Sequence, residues 1–158
     1  SRLSPDKVDM VLAIGYSNMK GRHQAFLRAK EMGFFFQSLI HPRATVEKNV
    51  ELGEGVIVQA GVVLDQYVKV GEINYFDIGV LIGENSQIGS NNYFSAGVTI
   101  GGSVQIGTNN FVGLNSTAVN NIKIGDHNFI NAQTLIHRSL ESNYQLVEIH
   151  ESRTMRRI

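Results

Sequence analysis

Few side chains in this sequence could do chemistry, and their types exclude several classes at once. There is no cysteine, so neither a disulfide framework nor a thiolate metal site can form. The five histidines, His23, His41, His127, His137 and His150, are scattered along the chain. His23 falls on an expected helix and His150 in an expected terminal strand, positions where a histidine is more often structural than reactive. Fourteen basic residues balance fourteen acidic ones, leaving no overall field to attract nucleic acid. The basic group Arg153, Arg156 and Arg157 reads as a solvated end. Four amides are more informative: Asn74, Asn92, Asn110 and Asn128 recur every 18 residues.

That spacing belongs to a repeat. From Ala44 to Ser139 the chain divides into sixteen hexads without an insertion or deletion, and the third position of every hexad is apolar, from Val46 to Ile136. The fourth position is glycine in half of them, as at Gly53, Gly71 and Gly83, and the sixth is mostly Asn or Gly. Both types tolerate positive φ, so each hexad reads as a short strand followed by a sharp bend. Such repetition marks a parallel β-helix. The 18-residue return of asparagine makes three strands one coil, so the prism is triangular. With first and third positions pointing inward, the four amides stack about 4.8 Å apart, each supplying its neighbour with hydrogen bonds that a buried amide needs.

The flanks differ. Val8 to Ile14 is a candidate buried strand, Ser17 or Asn18 can cap a helix over Lys20 to Met32, Gly33 stops it, and Phe34 to Ile40 is a second strand ended by Pro42. Strand, helix and strand make one βαβ unit, the expected tail of a larger α/β domain whose remainder would lie before Ser1. The expected organisation is therefore 1–43 as the remnant of an α/β nucleotide-sugar-binding domain, 44–139 as the β-helix and 140–158 as a capping tail, with 143–152 as a last strand. No apolar run reaches membrane-spanning length and no signal peptide is evident, so a soluble cytoplasmic protein is expected.

Ala13-Ile14-Gly15, Arg22, the helix ending at Gly33, and Leu39-Ile40-His41-Pro42 followed by hexads together resemble the sialic acid O-acetyltransferase (NeuD/PglD-type) group of sugar acyltransferases. Val98 to Gly125 carries the strongest part of the likeness. The resemblance implies a mainly β protein, a left-handed parallel β-helix preceded by a truncated Rossmann-like βαβ segment. It further implies a homotrimer that carries acetyl from acetyl-coenzyme A to an amino or hydroxyl group of a nucleotide-linked sugar in surface-polysaccharide biosynthesis. The sites lie in clefts between subunits. It places the oxyanion-binding backbone amide at Gly102 beside Gly101, although Gly102 can equally be read as another bend residue. The family's catalytic His falls at Glu84, the acidic residue after it at Asn85, and a further family His at Tyr93. His41, in the junction motif, is expected to be structural. His127 closes a hexad on a different face from Glu84, and His137 stands three coils beyond it, about 14 Å away by the coil rise. Neither shares Glu84's site unless a neighbouring subunit supplies it. The three-histidine zinc site of some trimeric β-helices is not matched by these spacings, and no metal is expected.

Three functions follow. An N-acetyltransferase needs no strong base, because a sugar amine with a pKa of about 7.7–8.0 is partly neutral near pH 7; Glu84 or the departing thiolate takes the proton. O-transfer would require Glu84 as general base, with a pKa raised well above about 4.3 by burial. The third is a β-helix that has lost its chemistry and serves in binding or assembly.

Overall fold

A computed structural model describes residues 4–146 of the chain. Eighteen two-residue strands, each formed by the second and third residues of a hexad or its equivalent, lie parallel and pair with the strand one coil on. They form three sheets of seven, six and five strands, the faces of a triangular solenoid of about six coils. This is the mainly β, parallel solenoid that the hexads require, and it is consistent with the left-handed β-helix of the resemblance. The strand Leu39–Ile40 already pairs with Ile57–Val58, so the solenoid starts one strand before Ala44. At the other end Phe129–Ile130 pairs with Gln145–Leu146. That last return takes 16 residues rather than 18, which is why the hexad register is lost after Ser139.

The third-position side chains form the core: Leu64, Phe76, Phe94, Val112 and Ile130 are all fully buried. Phe76 and Phe94 stack with ring centroids 5.0 Å apart. Asn74, Asn92 and Asn110 are fully buried and build the anticipated ladder. Asn74 Oδ1 accepts from the Asn92 backbone N–H at 2.8 Å and from Asn92 Nδ2 at 3.0 Å. Asn92 Oδ1 accepts in the same way from Asn110.

The bends differ from expectation in one respect. Every sixth position from Gly55 to Gln133 has positive φ, including Tyr67 and Ile73, which are costly there, as well as the expected Asn and Gly. The fourth-position glycines do not. Their requirement is steric: a Cβ on Gly53 would lie 2.7 Å from the carbonyl carbon of Gly71, and one on Gly83 2.6 Å from the Gly102 nitrogen. Side-chain-free corners let successive coils approach.

The N-terminal βαβ unit is a correction. Only a single parallel bridge, Met10 to Phe36, joins the segments on either side of the helix. The strands expected at Val8 to Ile14 and Phe34 to Ile40 do not form, and Leu39–Ile40 is recruited by the solenoid instead, whose edge offers a full set of backbone partners. The helix α1, Met19–Glu31, is present, with Asn18 Oδ1 capping the Gly21 N–H at 2.8 Å and Gly33 ending it at φ +86°. Its buried side, including Phe26 and Ala29, packs with Phe34, Phe36, Leu12 and Ile73 in a second small core against the prism. Lys30 Nζ meets Glu54 Oε1 at 2.7 Å. Burial opposes ionisation of Glu54, but hydrogen bonds from Lys30 and the Phe36 N–H, together with the Lys30 charge, outweigh it and hold the carboxyl below its ordinary value.

Arg22 is buried beneath α1, donating from Nη1 to Asn91 Oδ1 at 2.6 Å. Its Nε and Nη2 find no partner among the described residues. Desolvation therefore pushes its pKa down to about 10. Part of the expected capping tail is visible, since Leu140 bridges Ile124 and Gln145–Leu146 adds a strand. The remainder of the expected strand, His150 and the terminal arginines lie outside the described residues. No helix of the described residues is long and apolar enough to cross a membrane.

Candidate active site at a corner of the prism

Leu81–Ile82 ends one face, Gly83, Glu84 and Asn85 turn the corner, and Gln87–Ile88 begins the next face. One coil on, Thr99–Ile100 is followed by Gly101, Gly102 and Ser103 in the same register. Glu84 and Gly102 are thus stacked, 18 residues apart, in one corner column. The approach is close: a Cβ on Gly102 would sit 2.5 Å from Glu84 Oε1 and 2.7 Å from its Cδ. The carboxylate occupies the space that the glycine leaves open. Asn85 supplies the bend at φ +59°, and its N–H donates to Gln66 O at 2.9 Å. An amide or a carboxylate side chain suits that backbone equally.

The next residue in the column is one that sequence reasoning missed. Asn120 Oδ1 accepts from the Gly102 N–H at 3.2 Å. Gly101 backs the same contact, since a Cβ there would lie 2.8 Å from the Asn120 nitrogen, while the Gly101 N–H is committed to Ala118 O. The backbone donor that would face an oxyanion therefore already holds a carboxamide oxygen. The 18-residue period applied to the fifth hexad position, Glu84 to Gly102 to Asn120, was the available signal.

Tyr93 is not in this corner. It stands on the face whose outward residues include Tyr75, Phe111 and Phe129, here termed the aromatic face. Its ring stacks on Tyr75 at 4.6 Å and meets the edge of Tyr16 at 5.2 Å. Burial, then Tyr75, Asp77 and Tyr16, push its hydroxyl up to about 12, so it is a neutral donor rather than a base. Within one chain the structure brings together Glu84, Asn85, Gly101 and Gly102 and leaves Tyr93 on another face.

The histidines are also distributed. His41 Nδ1 accepts from the Arg43 N–H at 3.1 Å and so holds the turn into the solenoid. His127 forms a bend at φ +58°. It lines a cleft with His23 of α1, a pairing for which the sequence offered no reason. Among the described residues no three His, Asp or Glu side chains are placed to hold a metal ion.

Residues 43–66 and 79–109 match the family described as the hexapeptide repeat of succinyl-transferase. No curated protein is matched by sequence. Solved structures share the fold. A histidine-to-asparagine variant of perosamine N-acetyltransferase from Caulobacter crescentus, in complex with CoA and GDP-perosamine, superposes with a TM-score of 0.84 over 89% of this chain at 24% identity. The acetyltransferase domain of PglB from Neisseria gonorrhoeae, in complex with acetyl coenzyme A, gives 0.82 over 88% at 23% identity, covering 67% of that domain. WeeI from Acinetobacter baumannii gives 0.81 over 87% at 17% identity, covering 66% of its chain. The present chain spans 66% of the length of the perosamine enzyme.

Proposed function

We propose that this chain is an acetyl-coenzyme A-dependent acetyltransferase of the NeuD/PglD-type group, acting on an amino group of a nucleotide-linked sugar in surface-polysaccharide biosynthesis. The observation that carries the reading is the column of Glu84 over Gly102. It sets a carboxylate and a backbone N–H one coil apart at a corner with no side chain between them. The structural neighbours with CoA and GDP-perosamine bound support it.

In this reaction the amine lone pair attacks the thioester carbonyl carbon, the carbon–sulfur bond breaks, and CoA departs as thiolate. The proton released from nitrogen passes to Glu84 or to the thiolate. Gly102 N–H, a backbone donor fixed by the coil, would stabilise the developing oxyanion once the thioester oxygen replaces Asn120 Oδ1. An amine acceptor asks less of Glu84 than a hydroxyl does, because a carboxylate that deprotonates a hydroxyl needs burial to strengthen it as a base. The occupied Gly102 N–H favours the alternative, a β-helix trimer that has lost catalysis and serves in binding or assembly.

The working assembly is a homotrimer. At the corner between the aromatic face and the next, the outward column is apolar: Ile78 is 60% exposed and Leu114 51%, with Ala96 between them. Leu81 and Leu135 on the adjoining face are also exposed. A continuous apolar ridge of this kind marks an interface, and a cyclic arrangement would bring one subunit's aromatic face, with Tyr93, toward another's Glu84 corner.

The test is acetyl transfer from acetyl-coenzyme A to matched amino- and hydroxy-sugar nucleotides by the native protein and by Glu84→Gln, with the mass in solution measured by light scattering. A general base contributes about 10²–10⁴-fold when fully engaged, and an amine that is partly neutral before it binds places the expected loss at or below the bottom of that range. A trimer mass, transfer to the amine and a modest loss support the reading. No transfer to any acceptor by either protein, with CoA still bound, leaves the assembly module.

A further inference from the structure

A cleft of about 610 Å³ separates α1 from the aromatic face. Its helical wall is one face of α1, in which Lys20, His23, Gln24 and Leu27 follow a spacing of three and four. Its other wall is built by the solenoid. Asn109 and His127, one coil apart, are bend residues with φ of +63° and +58°, and Phe111 and Phe129 stack below them with centroids 4.7 Å apart. The polar lining is one-sided. Lys20 makes no ion pair among the described residues. Asn109 Oδ1 is taken by Asn91 Nδ2 at 2.6 Å, which leaves its NH2 group as the free end. Among the described residues no carboxylate lines the cleft.

We propose that this cleft is a nucleoside-phosphate site. An ammonium, two imidazoles and a fixed carboxamide NH2 form a donor set suited to phosphate oxygens, since charge-assisted bonds to such anions are the strong ones. Phe129, 42% exposed, and the edge of Phe111 stacked on it offer aromatic surface for a planar base. The volume falls within the about 300–1,000 Å³ usual for small-molecule sites. Phe111 and Phe129 also border a second cleft containing Tyr16, Asp77 and Tyr93. A ligand whose base and phosphates lie under α1 can therefore extend a further group across the aromatic face. That arrangement assigns the cleft to the acceptor's nucleotide, and in this respect the inference rests on the transferase reading. The same chemistry could come from the nucleotide of CoA, and the experiment separates the two.

The experiment titrates the full chain with uridine diphosphate, guanosine diphosphate, inorganic pyrophosphate and CoA, following the imidazole signals of His23 and His127 by NMR and the affinities by calorimetry. His127→Asn keeps a residue type that accepts the bend, while His23→Gln and Lys20→Met change exposed or half-exposed helix positions. The expected result is that a nucleoside diphosphate moves both imidazole signals and that each variant weakens its binding about tenfold, the value of one charge-assisted contact. CoA affinity should stay unchanged. Pyrophosphate binding as tightly as the nucleotides would overturn the role of the rings, and CoA moving the same two signals would overturn the assignment to the acceptor. No shift with any nucleotide would overturn the site itself. Failure of the native protein to bind CoA would instead count against the transferase reading while leaving a nucleotide-dependent shift as support for the cleft.

Discussion

Replacing a rung of the buried asparagine ladder by alanine should cost very different amounts at its middle and at its end. In Asn92→Ala, the Asn110 N–H and Asn110 Nδ2 lose the oxygen they share at 2.9 and 3.0 Å. Gly107 O loses the Nδ2 donor at 2.9 Å. Gly89 O keeps a donor from Asn74 at 2.7 Å. Two buried donors and one half-buried carbonyl are thus stranded, and at about 1–3 kcal/mol for each buried group and less for the carbonyl the cost is on the order of 3–6 kcal/mol. In Asn128→Ala the amide removed has a buried Nδ2 without a partner among the described residues. Its oxygen serves the Tyr144 N–H at 2.8 Å, and that half-buried donor is the group left without an acceptor. The penalty, about 1 kcal/mol, is offset by relief of the unpartnered amide, leaving a net change of about 0–1 kcal/mol. The assay is urea unfolding followed by circular dichroism, at one protein concentration because assembly is linked to stability, comparing midpoints at unchanged m-value. Equal costs at the two positions, or a larger cost at Asn128, would refute the view that the ladder acts by satisfying its neighbours.

Other outcomes follow from single interactions. Asn120→Ala frees the Gly102 N–H from its 3.2 Å partner; if that hydrogen bond must break for a thioester to bind, transfer should quicken about 2- to 10-fold, the value of one ordinary hydrogen bond, and a slower enzyme would mean that Asn120 helps position the donor. Glu54 has a folded-state pKa below its ordinary value, so its contribution is present above the unfolded value of about 4.3 and is lost as pH falls through the lower folded value. Glu54→Gln should therefore flatten the acid limb of the stability profile below about pH 4.3, and an unchanged limb would count against the Lys30–Glu54 clasp. Arg22→Met exchanges a desolvated guanidinium, two of whose nitrogens have no partner among the described residues, for a side chain of similar reach but leaves the buried Asn91 Oδ1 without its donor, and relief and loss together should leave a cost of about 1–2 kcal/mol. Arg22→Ala, which leaves a void under α1, should cost on the order of 2–5 kcal/mol, and similar costs in both would show that the charge itself holds the helix.

The solenoid was legible in the chain because its rule is local and repeated. An apolar third position, an αL-tolerant sixth position and an amide every 18 residues each constrain one hexad, and the constraint propagates by backbone pairing from coil to coil. The resemblance singled out Glu84 and Gly102, and the same period accounts for their stacking. Other features depended on which surfaces meet. The Met10 and Phe36 segments meet in a parallel bridge, and the end of the solenoid offers Leu39–Ile40 the strand Ile57–Val58 to pair with. The fourth-position glycines looked like bend residues, and only the distance between successive coils shows that they are spacers. Arg22, an ordinary helix residue by type, is buried because α1 lies across Asn91. Tyr93 is separated from Glu84 because nine residues along a three-sided coil change the face, and His23 lines one cleft with His127, more than a hundred residues away, because the helix folds back over the aromatic side. Periodicity determines neighbours along the solenoid; the docking of an aperiodic helix on it is decided by shape and desolvation, which no local pattern encodes.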